Sequence, residues 1–336
     1  MIRDAQQLLA QLQAIHNAIR DQVVRACEQM ATEQLATIVA EQAGDVVFAI
    51  DRISEEVLLE QFAHLGEHWS FVLIAEGLGE DGIAVFPHGI DPQQAELRII
   101  IDPIDGTRGI MYQKRPAWIL TGVAPNHGSQ TSLRDIEIAI QTEVPLVKQH
   151  LCDTLWAIAG QGAHGQRLNR LNGDIQALLP HPSRAETIAQ GYGSISRFFP
   201  GGRAALAALD DAVVEALLGP VQPGKAQVFE DQYIATGGQL YELMMGHDRW
   251  QADLRPLVPL LKQTGLCCHP YDLCTELIAR EAGIIITDEH NQPLHAPLDV
   301  TGALAWIGYA NETLAQQIAP HLHALMQQHH FISVGA

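Results

Sequence analysis

The residues at positions 99–107, IIIDPIDGT, carry the clearest chemical signal in the chain. An apolar segment leads into two carboxylates, Asp102 and Asp105, which lie three residues apart with a proline between them restricting the backbone. Gly106 permits backbone conformations closed to other residues, and Thr107 is a good helix N-cap. Carboxylates bind hard divalent cations, and the N–H groups at a helix start bind phosphate. The run therefore predicts metal-assisted phosphate chemistry.

Composition narrows the class of protein and its partners. The chain has 336 residues, of which 47% are hydrophobic, so we expect a folded protein with a full core. A net charge of −19 argues against a nucleic-acid polymer or an anionic membrane as partner, but a bound cation would let a small phosphorylated metabolite approach. The absence of a CxxC pair, of an apolar run of about 18 residues and of a signal-peptide layout predicts a cytoplasmic location.

Alternating helical and extended patterns predict a layered α/β protein. Apolar residues recur at spacings of three and four over residues 4–42, which predicts one amphipathic helix ended by Gly44. A buried strand over 71–75 ends at Glu76. The other predicted helices cover residues 52–64, 203–218, 227–236, 273–282 and 311–328, and the other strands cover 83–86, 97–101, 118–124, 136–142, 153–159, 240–245, 284–287 and 306–310.

The proline-rich segment 179–183 is typical of a linker, so we predict two domains with a boundary near residue 182. Residues 1–182 form an N-terminal α+β domain that carries most of the candidate site. Residues 183–336 form a C-terminal α/β domain with the remainder.

The run 102–107, DPIDGT, resembles the signature of the inositol monophosphatase superfamily, whose magnesium-dependent and often lithium-sensitive members include inositol monophosphatases, fructose-1,6-bisphosphatases and 3′-phosphoadenosine phosphatases. Further segments agree with that family's motifs in order and approximate spacing. They are Asp45-Val46-Val47 with Asp51, Glu76 after an apolar strand, Ala235-Thr236-Gly237-Gly238 followed by Tyr241-Glu242, and Tyr271-Asp272 followed by Glu281-Ala282-Gly283.

The resemblance implies a five-layer αβαβα sandwich, usually dimeric, with a magnesium site built from both halves of the chain. Glu76 and Asp102, with the carbonyl group of Ile104, would hold the first ion. Asp102 would bridge to a second ion completed by Asp105 and Asp272. A third, weaker ion near Glu76 is common in the family, so two or three Mg²⁺ ions are expected.

The resemblance also implies the reacting groups. Thr107 would orient the attacking water together with Glu76, and Asp105 completes the predicted catalytic set. The groups expected to contact phosphate or substrate are the N–H groups of Gly106 and Thr107, the Arg108 side chain, which could meet a second anionic group, and the Glu242 carboxylate. We therefore expect a cytoplasmic homodimer that hydrolyses a small phosphate monoester, with an inositol phosphate as the default substrate.

Several alternatives remain open at this stage. Ala40 and Phe48 replace a lysine and a threonine that the family often has, which puts the third ion in doubt, and Glu80 competes with Glu76 as a ligand. The sequence after Thr107 is closer to the phosphoadenosine branch, so a phosphoadenosine or sugar bisphosphate is the near alternative substrate. A diverged member that binds a phosphorylated metabolite without turnover is a third possibility. The Asp-x-Asp-Gly-Thr motif of haloacid-dehalogenase-type phosphatases does not fit, because Asp102 and Asp105 are three residues apart rather than two.

Overall fold

The computed structural model describes residues 2–42, 45–78 and 81–333, except for the side chains of residues 38–47 and 51–57. The helices are α1 (Ala5–Gln29), α2 (Thr32–Leu35), α3 (Ala49–Leu65), α4 (Thr107–Met111), α5 (Arg203–Leu218), α6 (Thr236–Met244), α7 (Pro259–Gln263), α8 (Glu276–Glu281) and α9 (Glu312–Gln328). The strands are β1 (Ile38–Gln42), β2 (Asp45–Phe48), β3 (Phe71–Ile74), β4 (Ile83–Phe86), β5 (Leu97–Asp105), β6 (Ala117–Pro125), β7 (Ile138–Val144), β8 (Leu151–Ile158), β9 (Ala163–Asn169), β10 (Ile175–Leu178), β11 (Tyr192–Ile195), β12 (Asp248–Asp253), β13 (Ile285–Thr287) and β14 (Trp306–Tyr309).

The larger sheet has the strand order β10-β9-β8-β7-β6-β5-β3-β4 and is antiparallel except where β3 pairs with β5. Its central strands are buried on both faces, so successive side chains enter different hydrophobic clusters. In β5, Ile99 and Ile101 pack in the cluster that includes α1 and α3. Ile100, between them, packs in the other cluster with residues of α6 and α8.

The smaller sheet has the order β11-β12-β14-β13, with β11 parallel to β12 and the other pairs antiparallel. Helices α6 and α8 contact both sheets, and α5 and α9 pack on the outer side against β11, β14 and each other. The layers are thus α1/α3, the larger sheet, α6/α8, the smaller sheet and α5/α9. This confirms the predicted five-layer αβαβα sandwich.

The predicted single helix over 4–42 is wrong beyond Gln29. Its amphipathic part is α1, but the chain then forms the short α2 and the strand β1, which pairs with β2. The segment 38–42 begins with two β-branched residues, and their strand preference outweighs the helical spacing of the apolar positions. Gly44, the predicted helix end, lies outside the described residues.

The predicted helix over 227–236 and the strand over 240–245 are also wrong. Residues 227–235 are not helical, and α6 begins at Thr236 and runs through most of the expected strand. The reason is a contact that is distant in sequence: the first N–H groups of α6 bind the carboxylate of Asp105. The sequence patterns also missed β9, β10, β11 and β12. The domain division near residue 182 stays a prediction.

None of the described helices combines the length and apolar character that crossing a bilayer requires.

Candidate metal centre

Three aspartates that are far apart in sequence meet at the end of β5. One carboxylate oxygen from each of Asp102, Asp105 and Asp272 lies within 4.8 Å of the others. Asp102 and Asp105 are buried or nearly so, and Asp272 is partly exposed. We call these three residues the acidic cluster.

A bulge in β5 puts two of these carboxylates on one face of the sheet. Asp102 pairs with Leu120 of β6, and Asp105 pairs with Trp118, so three steps on β5 match two steps on β6. In a regular strand, residues three apart point to opposite faces. The extra residue in β5 brings the side chains of Asp102 and Asp105 back to the same face of the sheet. Pro103, which has no N–H to donate to the neighbouring strand, lies within this irregular stretch. The spacing that looked unusual in the sequence is therefore what brings the carboxylates together.

The N-terminus of α6 holds Asp105. The N–H groups of Thr236 and Gly237 donate to its two oxygens at 3.2 and 2.6 Å, and the positive end of the helix favours the negative charge. A Cβ atom on Gly237 would lie 3.0 Å from Asp105 Oδ2 and 2.6 Å from the side chain of Leu120. Glycine is therefore required for this close approach, which explains the Ala-Thr-Gly-Gly segment.

Burial and mutual repulsion raise the pKa values of the buried carboxylates in the acidic cluster. Burial, followed by the charges of Asp105, Asp272 and Glu76, raises the pKa of Asp102 well above its usual range. Burial and the charge of Asp272 likewise raise the pKa of Asp105. Arg255, itself buried and paired with Asp253, offsets only part of this repulsion at Asp105. A divalent cation bound among these carboxylates would offset the remaining repulsion.

Glu76 lies at the exposed edge of the cluster. It follows β3, and its negative charge acts on Asp102 and on Tyr271. The competing Glu80 lies outside the described residues, as do the side chains of Asp45 and Asp51.

The turn after β5 differs in one detail from the expectation. Gly106, with φ of 93°, is the N-cap of α4, and Thr107 is the first helical residue rather than the cap. A Cβ atom on Gly106 would lie 2.9 Å from that of Ala235, so the turn and the loop before α6 pack tightly. The Thr107 hydroxyl donates to the carbonyl oxygen of Ile104 at 2.9 Å.

Two predicted substrate contacts lie in different surroundings. The guanidinium carbon of Arg108 lies 5.8 Å from the ring centroid of Phe48 and 5.5 Å from that of Phe199, a cation–π arrangement directly after Thr107. Glu242 instead forms an ion pair with His247.

The sequence patterns missed Phe199, Arg255 and His269. The guanidinium carbon of Arg255 lies 4.4 Å from the ring centroid of Phe198 and 5.4 Å from that of Phe199. The backbone N–H of His269 donates to Asp272. Arg255 and His269 lie between Glu242 and Asp272, outside the segments that agree with the family motifs, so the resemblance assigned them no role.

No protein-family model matches this sequence, and no curated protein matches it significantly. Solved structures do resemble it. Leishmania major fructose-1,6-bisphosphatase in its holo form is 15% identical, with 95% of this chain and 93% of that chain covered and a TM-score of 0.68. The extragenic suppressor protein SuhB from Bartonella henselae is 13% identical, with 94% and 98% covered and a TM-score of 0.63.

A hypothetical protein from Pyrococcus horikoshii, described as having similarities to inositol-1 monophosphatase, is 16% identical, with 95% and 99% covered and a TM-score of 0.63. These similarities extend over nearly the whole of each chain, at identities that establish the fold alone. The chain therefore has the fold shared by inositol monophosphatases and fructose-1,6-bisphosphatases.

Proposed function

We propose that this chain is a magnesium-dependent phosphatase that hydrolyses a small phosphate monoester. The observation that carries the proposal is the acidic cluster, in which carboxylates separated by up to 170 positions converge beside the start of α4. The five-layer fold, which is also that of inositol monophosphatases and fructose-1,6-bisphosphatases, supports the same function.

The donor set fits a hard divalent cation. All three residues of the cluster offer carboxylate oxygens, and Mg²⁺ prefers oxygen ligands, whereas Zn²⁺ sites are usually rich in histidine and cysteine. We propose that Glu76, Asp102, the Ile104 carbonyl, Asp105 and Asp272 hold two or three Mg²⁺ ions. Bound ions would neutralise the phosphate and lower the pKa of a nearby water molecule.

Around that centre, the residues of the turn would orient the reactants. The Thr107 hydroxyl donates to the carbonyl oxygen of Ile104, and because a hydroxyl oxygen has two acceptor lone pairs, Thr107 would also orient a water molecule for attack. Glu76, at the exposed edge, would take up the proton of that water. The N–H groups of Gly106 and Thr107 would donate to phosphate oxygens.

An inositol-phosphate-like monoester is the default substrate, and Arg108 favours a second candidate. Its contacts with Phe48 and Phe199 restrict the guanidinium group beside the proposed phosphate site. Five N–H donors on one guanidinium can serve several acceptors, so a second anionic group on the substrate would be recognised here. This supports 3′-phosphoadenosine 5′-phosphate or a sugar bisphosphate as the alternative substrate.

Phosphate release from a panel of these compounds, with and without Mg²⁺, tests the proposal. We expect release that requires Mg²⁺ and that Asp102→Asn and Asp105→Asn each lower at least about 100-fold, since loss of an outer-shell partner alone costs 10- to 100-fold. The exposed Asp174→Asn, on the turn before β10, is the matched control and should keep full activity. Tight ligand binding without turnover at saturating Mg²⁺ would instead support a non-catalytic binding protein.

We also propose that the chain acts as a homodimer in the cytoplasm. Sedimentation equilibrium would test the dimer directly: a single species of 36.7 kDa at micromolar concentration would contradict it.

A further inference from the structure

We propose that Gln141 is a positioning residue of the proposed metal centre, because its side chain joins the segment that holds Asp105 to the segment that supplies Asp272. The inference rests on the proposed function. Gln141 lies in the middle of β7, a strand that is buried along its whole length, and no sequence motif singled it out. A fully buried amide is costly unless it is hydrogen-bonded, so the partners of Gln141 define its role.

The two ends of the Gln141 amide bind different segments of the chain. Its Nε2 donates to the carbonyl oxygen of Gly237 at 2.6 Å, and the Thr275 hydroxyl donates to its Oε1 at 3.1 Å. The carbonyl oxygen of Gly237 only accepts, so it must face the amide nitrogen, and this fixes the orientation of the amide. We call Gly237, Gln141 and Thr275 the amide bridge.

The use of the Thr275 side chain is unusual for its position. Thr275 is fully buried and is the N-cap of α8, where a threonine side chain normally accepts from an N–H group of the helix. Within the part of the chain that the structure describes, its side chain makes no such capping bond. Its hydroxyl instead donates to Gln141, so this threonine serves the amide bridge rather than the start of the helix.

Each end of the amide bridge lies next to a carboxylate of the acidic cluster. The N–H of Gly237 donates to Asp105 Oδ2 at 2.6 Å, and the carbonyl oxygen of the same glycine accepts from Gln141. At the other end, Thr275 lies three residues after Asp272, in the short segment that leads into α8. The amide bridge therefore ties the support of Asp105 to the segment that supplies Asp272.

The larger sheet places Gln141 within reach of both segments. Asp102 pairs with Leu120 of β6, and Leu120 pairs with Gln141, so the three residues form one row across the sheet. Side chains opposite each other on antiparallel strands share a face, and two strand spacings put Gln141 about 10 Å from Asp102. Gln141 therefore faces the side of the sheet on which the acidic cluster lies.

Two glycines let both segments approach β6 closely. A Cβ atom on Gly237 would lie 2.6 Å from the side chain of Leu120, and a Cβ atom on Gly122 would lie 2.6 Å from the carbonyl oxygen of Cys274. The start of α6 and the segment 272–275 thus both rest on β6. Because Gln141 is on the adjacent strand and hydrogen-bonds to both, it resists their moving apart.

Breaking the amide bridge should weaken cation binding without removing a ligand. The charges of Asp105 and Asp272 repel each other, so their supports can relax apart once they are no longer joined, and the cation then meets a less preformed site. Outer-shell partners typically change metal affinity 10- to 100-fold. Gln141 acts through one further hydrogen bond, so we expect an effect at the lower end of that range.

Binding of Mn²⁺ to the metal-free protein without substrate, followed by the electron paramagnetic resonance signal of free Mn²⁺, tests the amide bridge. Gln141→Met keeps the length of the side chain without the amide and should raise the Kd about tenfold. Thr275→Val keeps the shape without the hydroxyl and should raise it about fivefold, whereas Thr275→Ser restores the hydroxyl and should stay within about twofold of the unmodified protein. The double variant of Gln141→Met and Thr275→Val should bind no more weakly than Gln141→Met, because both changes break the same bridge.

Thr121→Val is the matched control. Thr121 is also fully buried in the larger sheet, but it follows Leu120 directly and so faces the opposite side, where its hydroxyl lies 2.8 Å from His16 Nε2. Thr121→Val should lower the melting temperature as Thr275→Val does, but it should keep the normal Kd. In the two bridge variants, the Mg²⁺ concentration for half-maximal phosphate release should rise with the Kd, while kcat at saturating Mg²⁺ changes less than about threefold.

The outcomes separate this inference from the proposed function. If Asp102→Asn abolishes Mn²⁺ binding but Gln141→Met and Thr275→Val keep the normal Kd, the amide bridge is overturned and the metal centre stands. The inference is also overturned if Thr275→Ser or Thr121→Val weakens binding as much as Thr275→Val, since the effect then follows packing and not the hydroxyl. Should Gln141→Met fail to fold, the comparison of Thr275→Val with Thr275→Ser decides. If the unmodified protein does not bind Mn²⁺ at all, the proposed function itself fails.

Discussion

Replacing Asp102 with asparagine should make the metal-free protein more stable while it destroys the proposed activity. Asp102 is largely buried, and one of its carboxylate oxygens lies within 4.8 Å of an oxygen of Asp105 and of Asp272. Two unit charges at that distance repel by roughly 3.5 kcal/mol at an effective dielectric constant of about 20. The folded protein escapes part of this repulsion by binding protons, as the raised pKa of Asp102 indicates.

Asparagine removes the charge and keeps an oxygen to accept the N–H of Ile104, which donates to Asp102 Oδ1 at 3.0 Å. After allowing for proton uptake, we expect a gain of about 1–3 kcal/mol in the free energy of unfolding. Urea denaturation at pH 8 with a chelator present would measure it. Asp174→Asn, which removes an exposed charge, should change stability by no more than about 0.5 kcal/mol.

In urea denaturation with excess Mg²⁺, the unmodified protein should instead be more stable than Asp102→Asn. The unmodified protein gains stability by binding the cation, whereas Asp102→Asn gains much less because it has lost a ligand. The reasoning is refuted if Asp102→Asn is less stable than the unmodified protein without metal, or if Mg²⁺ stabilises both proteins equally.

Three other substitutions probe the supports of the site and the core. Gly237→Ala should lower the free energy of unfolding by about 1–3 kcal/mol, because the new Cβ atom overpacks against Leu120 and Asp105, and it should weaken Mn²⁺ binding. An unchanged urea midpoint would contradict this. Burial and the nearby Arg20 charge lower the pKa of His16 to about 3, so the unfolded chain gains a proton below about pH 6.5 that the folded protein does not, and stability falls from pH 6.5 towards pH 3. His16→Gln should flatten that part of the unfolding profile. Glu281 accepts two N–H groups from the turn between β8 and β9 at 2.7 Å each, so Glu281→Ala should lower the unfolding free energy by about 1–3 kcal/mol without changing Mn²⁺ affinity.

The part of the site that sequence reasoning predicted best is local in the chain. Asp102, Asp105 and the Gly-Thr turn lie within six residues, and the proline and glycine that shape the backbone are part of the same run. Asp272 lies far from that run, and only the resemblance to a known family identified it.

The errors arose where distant contacts decide local structure. Residues 227–245 have both helical and extended patterns, and the outcome depends on Asp105, more than 130 positions away, which binds the first N–H groups of α6. No local propensity contains that information.

The central claim is that Asp102, Asp105 and Asp272 together bind a divalent cation. Anomalous diffraction at the manganese absorption edge, from crystals soaked in Mn²⁺, tests it most directly. The account predicts an anomalous peak in contact with all three carboxylates, and crystals of Asp102→Asn should show a weaker peak or none. Fully soaked crystals of the unmodified protein without a peak among these carboxylates would contradict the account.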